Sequence, residues 1–378
     1  MRGPVGHAPP CNRQLHTRMP IAPVRSAGPL AGTVGGPARG GRNVDWFERL
    51  TGFAESDYRS TRERLAVEDG QLLSRVNGRR YGIGELEMPS LAELRERARS
   101  SVAPRGRLRL RNVVGDVRRM HGAPEHAGAL FQVASQFNLL EMTSPQVTPE
   151  DGVSRYQFDR TQGPACAIAA GAGTIWRNYF APVGGGEGQT AERQLDMLAD
   201  VGQALSHSLG RRPEDLWAMR NGYALCTTDG LAAVEAHLAG LGEAGCDALR
   251  ARLRIGLQWQ VAVTDGPAGA IVSQAYCSAL PVAYSGIPAW KWQRFATLVL
   301  EAAYEATLLA ACLNAAAGRS NIVLLTRLGG GAFGNDPAWI DAAMRRALDA
   351  CRDVDLDVRL VSFAGVDPQA RALEAAYE

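Results

Sequence analysis

Residues 321–346 constrain this chain more than any other stretch. Ile322–Leu325 is a short continuous apolar run, as in a central strand covered on both faces. Gly329, Gly330, Gly331 and Gly334 follow in Gly-Gly-Gly-Ala-Phe-Gly-Asn-Asp-Pro. Asp336 then stands where it can cap a helix, and Pro337 suits the first helical position, where no N–H is needed. Trp339, Ile340, Ala343 and Leu348 recur at near-helical spacing. The segment reads strand, glycine loop, helix. Such a loop lets the backbone approach a ligand and turn N–H groups toward it, and the helix start behind it favours negative charge. A phosphate is its natural guest, and at Gly331 a Cβ is expected to clash, either with a diphosphate or with a positive φ.

Gly329, Gly331 and Gly334 formally satisfy the dinucleotide fingerprint G-x-G-x-x-G, yet two features oppose that reading. The next apolar segment, 356–363, does not end in an acid where a ribose-binding carboxylate is expected. The motif also sits in the last eighth of the chain, whereas such a fingerprint usually opens its domain. A P-loop is excluded because Lys291, the only lysine, lies in Ala-Trp-Lys-Trp-Gln. Forty arginines against that one lysine, with abundant Ala and Gly, look like GC-rich coding rather than a functional enrichment. The net charge of +2 makes no general electrostatic case for nucleic acid or a membrane surface. Seven cysteines without a C-x-x-C pair suggest reduced thiols and a cytoplasmic setting. No apolar run is expected to reach the length of a membrane span.

Residues 1–42 carry six arginines, no acid and many Pro and Gly, a disordered-tail composition. Residues 43–104 read as a mostly helical extension, with a helical segment over 45–65, a short strand over 81–86 and a capped helix over 90–99. The alternation in 108–114 predicts a half-buried strand, followed by Gly115 and Asp116. A second strand is expected over 129–140, ending in Gln-Phe-Asn before Glu141. Gly163 and Pro164 open a small-residue helix, a second place for close backbone approach. A helical insertion at about 183–250 includes a helix over 190–209. Strands over 254–264 and 272–284, a long apolar helix over 295–317 and a last strand over 358–363 complete an α/β chain with a mixed sheet.

Taken together, Gly-Asp-Val after the first strand, Gln-Phe-Asn closing the second, the small-residue helix start and the late Gly-Gly-Ala-Phe-Gly resemble a macrodomain, over residues 105–365. The resemblance implies a three-layer α/β/α sandwich with a mixed, largely parallel sheet. It also implies a ligand, ADP-ribose or an ADP-ribosylated protein, with no cofactor and no metal. Asp116 matches the acid that receives the adenine amino group, and Asn138 the asparagine that holds the distal ribose. Gly163 to Ala167, with Ala165 and Cys166, match the first phosphate loop. Gly330, Gly331, Ala332, Phe333 and Gly334, with Asn335 behind them, match the second, Phe333 being its aromatic residue beside the ribose. Ser135-Gln136-Phe137-Asn138 replaces the usual Asn-Ala-Ala-Asn, and the Gln-Glu-Glu of the poly(ADP-ribose) glycohydrolase branch is absent.

Some members of that family hydrolyse ADP-ribosyl linkages, which requires a carboxylate to activate water at the anomeric carbon. Glu141, three residues beyond Asn138, is the candidate base, with Asp159 as substitute; Gln162 beside it is a candidate for ordering water or binding ribose. Two other readings stand beside this one. The domain could bind ADP-ribose without turnover. Alternatively, Cys166 beside a helix N-terminus could be a nucleophile with a lowered pKa. No G-x-S-x-G supports a serine hydrolase.

Overall fold

The alternation of apolar runs and breakers resolves into a seven-stranded mixed sheet between two helical layers. The architecture comes from a computed structural model in which residues 44–101 and 103–377 are described; the expected tail, 1–42, lies outside them. Helices α1 (Trp46–Thr51) and α2 (Tyr58–Glu63) lead into strands β1 (Leu65–Glu68), β2 (Gln71–Ser74), β3 (Arg80–Gly82) and β4 (Glu85–Glu87), then helix α3 (Leu91–Ser100). Strand β5 (Arg109–Val114), helix α4 (Val117–Met120), strand β6 (Leu130–Ala134) and helices α5 (Gln162–Ala169) and α6 (Gly171–Tyr179) come next. Then follow β7 (Pro182–Val183), β8 (Gly186–Glu187), α7 (Ala199–Leu209), α8 (Pro213–Leu216), β9 (Trp217–Arg220), β10 (Tyr223–Cys226), α9 (Thr228–Gly240) and α10 (Glu243–Arg250). The chain closes with β11 (Gly256–Ala262), β12 (Ile271–Cys277), α11 (Gln293–Ala316), β13 (Ile322–Leu325), α12 (Pro337–Ala350), β14 (Asp357–Ser362) and α13 (Pro368–Glu374).

The main sheet runs β4-β11-β12-β6-β13-β14-β5. The five strands from β12 to β5 are parallel, and β11 pairs antiparallel to β12 and to β4. Successive side chains of a strand point to opposite faces, which places the two helical layers. On β6, Gln132 hydrogen bonds to Thr307 of α11, while its neighbour Phe131 stacks on His121 on the other side. On β12, Cys277 reaches α11, while Gln274 donates to Cys166 O on α5. α11 is therefore the central helix of one layer, with α3 and α12 beside it; α5 and α6 belong to the other. α11 lies within a 28-residue span, Ala289–Ala316, long and apolar enough to cross a membrane, contrary to the expectation from sequence; 78% of its most apolar window is buried, because it covers the sheet.

Expected elements recur with shifted ends, and each shift has a local cause. The capping box of α3 is present, Ser90 N–H donating to Glu93 at 2.6 Å and Glu93 N–H to Ser90 Oγ at 3.2 Å. The expected strand 81–86 is split between β3 and β4 by Gly84 at φ +71°, where a Cβ would lie 2.3 Å from Trp259 O. The extension 43–104 is not mostly helical: β1, β2 and β3 form an antiparallel meander, and β4 joins the main sheet. The expected strand 129–140 stops at Ala134, and residues 136–141 fold into a turn. The expected helix 190–209 begins only at Ala199.

His121 is fully buried, and its neutral ring is satisfied from both sides. Nδ1–H donates to Val117 O at 2.7 Å and Nε2 accepts from Gln274 Nε2 at 3.0 Å. Burial pushes its pKa down to about 4, against the opposing bond to Val117 O. An unfolded histidine titrates near 6.5. The folded value is the lower one, so His121 contributes stability above pH 6.5 that is lost as pH falls through about 4. The loss amounts to roughly 3 kcal/mol. Urea unfolding at pH 7 and pH 4 is expected to show this difference in the wild type and a smaller one in His121→Gln. Equal losses in the two proteins would remove His121 as the cause.

Candidate functional site

The site lies where the connectivity of the sheet divides. After β6 the chain passes through α5 and α6 toward β11 and β12; after β13 it passes through α12 toward β14 on the other side. Adjacent strands whose connections leave in opposite directions open a crevice at their carboxyl ends. Here β6 and β13 pair only at Leu130–Val323 and Phe131–Leu324, then part. Gln162 fills the gap with its amide, accepting from Ala134 N–H at 2.9 Å and donating to Gln132 O at 2.7 Å. It lines the crevice, but both ends of its side chain are engaged by the backbone of β6, so it is neither a free ribose ligand nor a water-ordering group.

Two hollows adjoin there, about 310 and 380 Å³, sharing Asp159, Thr161, Gln162 and Thr326. The second contains Gly115, Asp116, Ala165 and Phe363. Asp116 caps α4, accepting from Arg118 N–H at 2.9 Å. Phe363 offers an aromatic ring that is 80% exposed. The first hollow contains Glu141, Asp159, Gly163, Gly331, Ala332 and Phe333. Tyr223, Tyr284 and Phe333 form one of its walls, their ring centroids 5.2 to 5.6 Å apart.

Two sets of backbone donors face this crevice without acceptors. The start of α5 has no side-chain cap, and among the described residues the N–H groups of Gln162 and Gly163 find no acceptor. Across the hollow, the consecutive N–H groups of Gly331, Ala332 and Phe333 also find no acceptor among the described residues. Such nests and helix starts bind anions. Positive φ falls at Gly329 (+74°) and Gly334 (+71°), which turn the loop. It does not fall at Gly331, where a Cβ would meet nothing within 4 Å, contrary to the expectation of a clash in the protein itself.

Glu141 is 2% exposed, and its Oε1 has no hydrogen-bond partner among the described residues. Its backbone N–H donates to the Tyr156 hydroxyl at 3.0 Å. Gly163 leaves it room: a Cβ there would lie 2.0 Å from Ala134 O and 2.2 Å from Glu141 Oε2. Burial raises its pKa well above the carboxylate range; the Arg177 charge opposes this and the Asp159 charge adds to it. Burial thus favours the protonated form of Glu141, which suits proton donation rather than the role of base expected from the sequence. Asp159, half-buried in the same hollow, accepts from Thr161 N–H at 2.8 Å.

Five expected ligands do not line the crevice. Asn138 is fully buried, donating to Gln194 at 2.8 Å and accepting from Leu140 N–H at 3.1 Å, so it holds a turn rather than a ribose. Cys166 is fully buried with its pKa raised by burial, the opposite of an activated nucleophile. Asn335 points inward, donating to Leu280 O at 2.9 Å and fastening the glycine loop from behind. Gly330 and Gly334 shape the loop without lining the hollow. Sequence reasoning missed Tyr223, Tyr284 and Phe363. The tyrosines sit in segments read as insertion and strand, and only the fold brings them to Phe333.

No family model and no curated protein matches the chain. Among solved structures it is similar to a mutant poly(ADP-ribose) glycohydrolase from Deinococcus radiodurans in complex with ADP-ribose, at 14% identity and a TM-score of 0.41, over 77% of this chain and 92% of the other. A poly(ADP-ribose) glycohydrolase from Thermomonospora curvata is similar at 14% identity and a TM-score of 0.41, over 85% of this chain and 96% of the other. The same enzyme bound to the inhibitor ADP-HPD gives 14% identity and a TM-score of 0.39, over 85% and 95%.

Proposed function

We propose that this crevice binds an ADP-ribosyl group and hydrolyses its glycosidic bond. The observation that carries the reading is Glu141, a buried carboxyl with an unpartnered oxygen, placed in a hollow that also holds Asp159. The remaining features divide among the parts of such a ligand. Asp116 and the exposed Phe363 ring suit an adenine, one by accepting from its amino group and the other by stacking. The two unpaired N–H sets suit a diphosphate between the hollows. The Tyr223–Tyr284–Phe333 wall suits the face of the distal ribose.

In this arrangement the bond between the anomeric carbon and the leaving oxygen breaks as Glu141 gives its proton to that oxygen. A water attacks the anomeric carbon and passes its proton to Asp159. Glycoside hydrolysis uses a pair of carboxyl groups, one giving a proton to the leaving oxygen and one receiving a proton from water. The base is accordingly assigned to Asp159, in place of Glu141. Asn138 takes no part in this assignment.

Calorimetric titration with ADP-ribose, AMP and ATP side by side tests the binding step. ADP-ribose is expected to bind at micromolar affinity or better, about −8 kcal/mol. ATP is expected at least tenfold weaker, because the crevice has no lysine for a γ-phosphate. Equal affinities would overturn the reading. Turnover is then assayed on mono- and poly-ADP-ribosylated protein and on O-acetyl-ADP-ribose; binding without turnover on all of them would make the domain a reader.

A further inference from the structure

The carboxyl of Glu141 is delivered by a turn whose backbone is strained. Leu139 is fully buried and adopts φ +63°, a left-handed conformation that costs a side-chain-bearing residue about 1 kcal/mol or more. Strain of this kind persists only where surrounding contacts over-determine it. Here Gln136 N–H donates to Leu140 O, Leu139 N–H to Gln136 O, Leu140 N–H to Asn138 Oδ1 and Met142 N–H to Gln136 Oε1. Gly256 on β11 leaves the space that the Leu139 side chain occupies; a Cβ there would lie 2.5 Å from it.

A further tie, made to the strained residue itself, is Arg177, on α6. Its Nε donates to Leu139 O at 3.0 Å, its Nη1 to Gln258 at 3.2 Å and its Nη2 to Thr174 at 3.1 Å. The guanidinium lies 3.8 Å from the centre of the Tyr276 ring. Arg177 is fully buried, yet none of its hydrogen-bond partners is a carboxylate. A buried cation without an ion-pair partner is costly and is seldom retained for packing alone.

The groups whose charge or titration bears on Glu141 come from several elements: Tyr156 and Asp159 before α5, Cys166 on α5, Tyr223 on β10, Tyr276 on β12 and Arg177 on α6. Arg177 is the one cation among them. We propose that Arg177 is a positioning residue for Glu141: it fastens the strained turn that carries the carboxyl, and it supplies the positive charge that lets the carboxyl give up its proton during turnover. This rests on Glu141 being the proton donor, as assigned above. Without such a charge, a buried carboxyl in a hollow shared with Asp159 would hold its proton more firmly and be a poorer acid near neutral pH.

The test is a pH titration of the Glu141 carboxyl by infrared spectroscopy, its band identified by disappearance in Glu141→Gln. In Arg177→Met the midpoint is expected to rise by at least about one pH unit, a tenfold change in proton affinity. Arg177→Gln, which keeps hydrogen-bonding groups, is expected to shift alike and serves if the Met variant fails to fold. Arg177→Lys keeps the charge and is expected to stay within about half a unit, while its kcat falls as the turn loosens. An unmoved midpoint in a folded neutral variant would overturn the proposal. So would a Lys variant that shifts as far as the neutral ones. The infrared midpoint needs no turnover, so it fails independently of the hydrolase assignment, which fails if Glu141→Gln retains full activity.

Discussion

Replacing Glu141 by Gln is expected to abolish most turnover while leaving ADP-ribose affinity within a few-fold of wild type. Gln keeps the shape and a polar head beside Gly163 but carries no proton to donate. Loss of a general acid or base typically costs 10²- to 10⁴-fold in rate. The same substitution is expected to stabilise the protein at neutral pH. The folded carboxyl has its pKa raised above the ordinary 4.5, so the folded state keeps a proton that the unfolded chain releases. Stability is then present below pH 4.5 and is lost as pH rises from there through the folded pKa. Gln cannot ionise and escapes that loss. Urea unfolding at pH 8 is therefore expected to favour the variant, and the two curves are expected to converge near pH 4.5. Full activity in Glu141→Gln, with activity lost in Asp159→Asn, would leave Asp159 as the sole working carboxylate.

Gly331→Glu is the second variant with a large expected effect, and it acts on binding. A Cβ at Gly331 meets nothing within 4 Å, so the folded loop accommodates the side chain. The added carboxylate stands beside the unpaired N–H groups of Gly331, Ala332 and Phe333, where the diphosphate is placed. Like charge at that position and the lost donors together are expected to weaken ADP-ribose by about 3 kcal/mol or more, over 100-fold in Kd. Gly331→Ala, which adds no charge, is expected to bind within a few-fold. Calorimetry on both variants decides it. Unchanged affinity in folded Gly331→Glu would put the ligand elsewhere.

The glycine loop was legible because its constraints are local. Asp336 caps α12 by accepting from Ala338 N–H at 2.8 Å, and Pro337 begins that helix, as their chemistry dictates at a helix start. β13 spans Ile322–Leu325, the limits of its apolar run, because a strand buried on both faces needs no alternation to mark it. Glu141, Asp159, Gly163, Gly331, Ala332 and Phe333 do line one hollow, and Asp116 and Ala165 the adjoining one.

Asn138 shows where such reading ends. Its place after an apolar run suggests the mouth of a strand, but the strand stops at Ala134 and a tight turn carries Asn138 into the interior. Gln162, distant in sequence, takes the place of β13 beside Gln132 and Ala134, and beyond them Gln136 N–H donating to Leu140 O closes the turn. Cys166 and Asn335 follow the same rule, since a small or polar residue near a glycine turn can face either side and only packing decides which.

What the sequence determined by itself was the α/β alternation with its mixed sheet and the two glycine-bearing approaches, because each follows from periodicity, capping or φ preference within a few residues. Only the tertiary structure decided the burial of Glu141 and the company it keeps. A carboxyl's proton affinity depends on how much water and how many charges surround it, and here those are set first by burial, then by Arg177 and Asp159 arriving from separate elements.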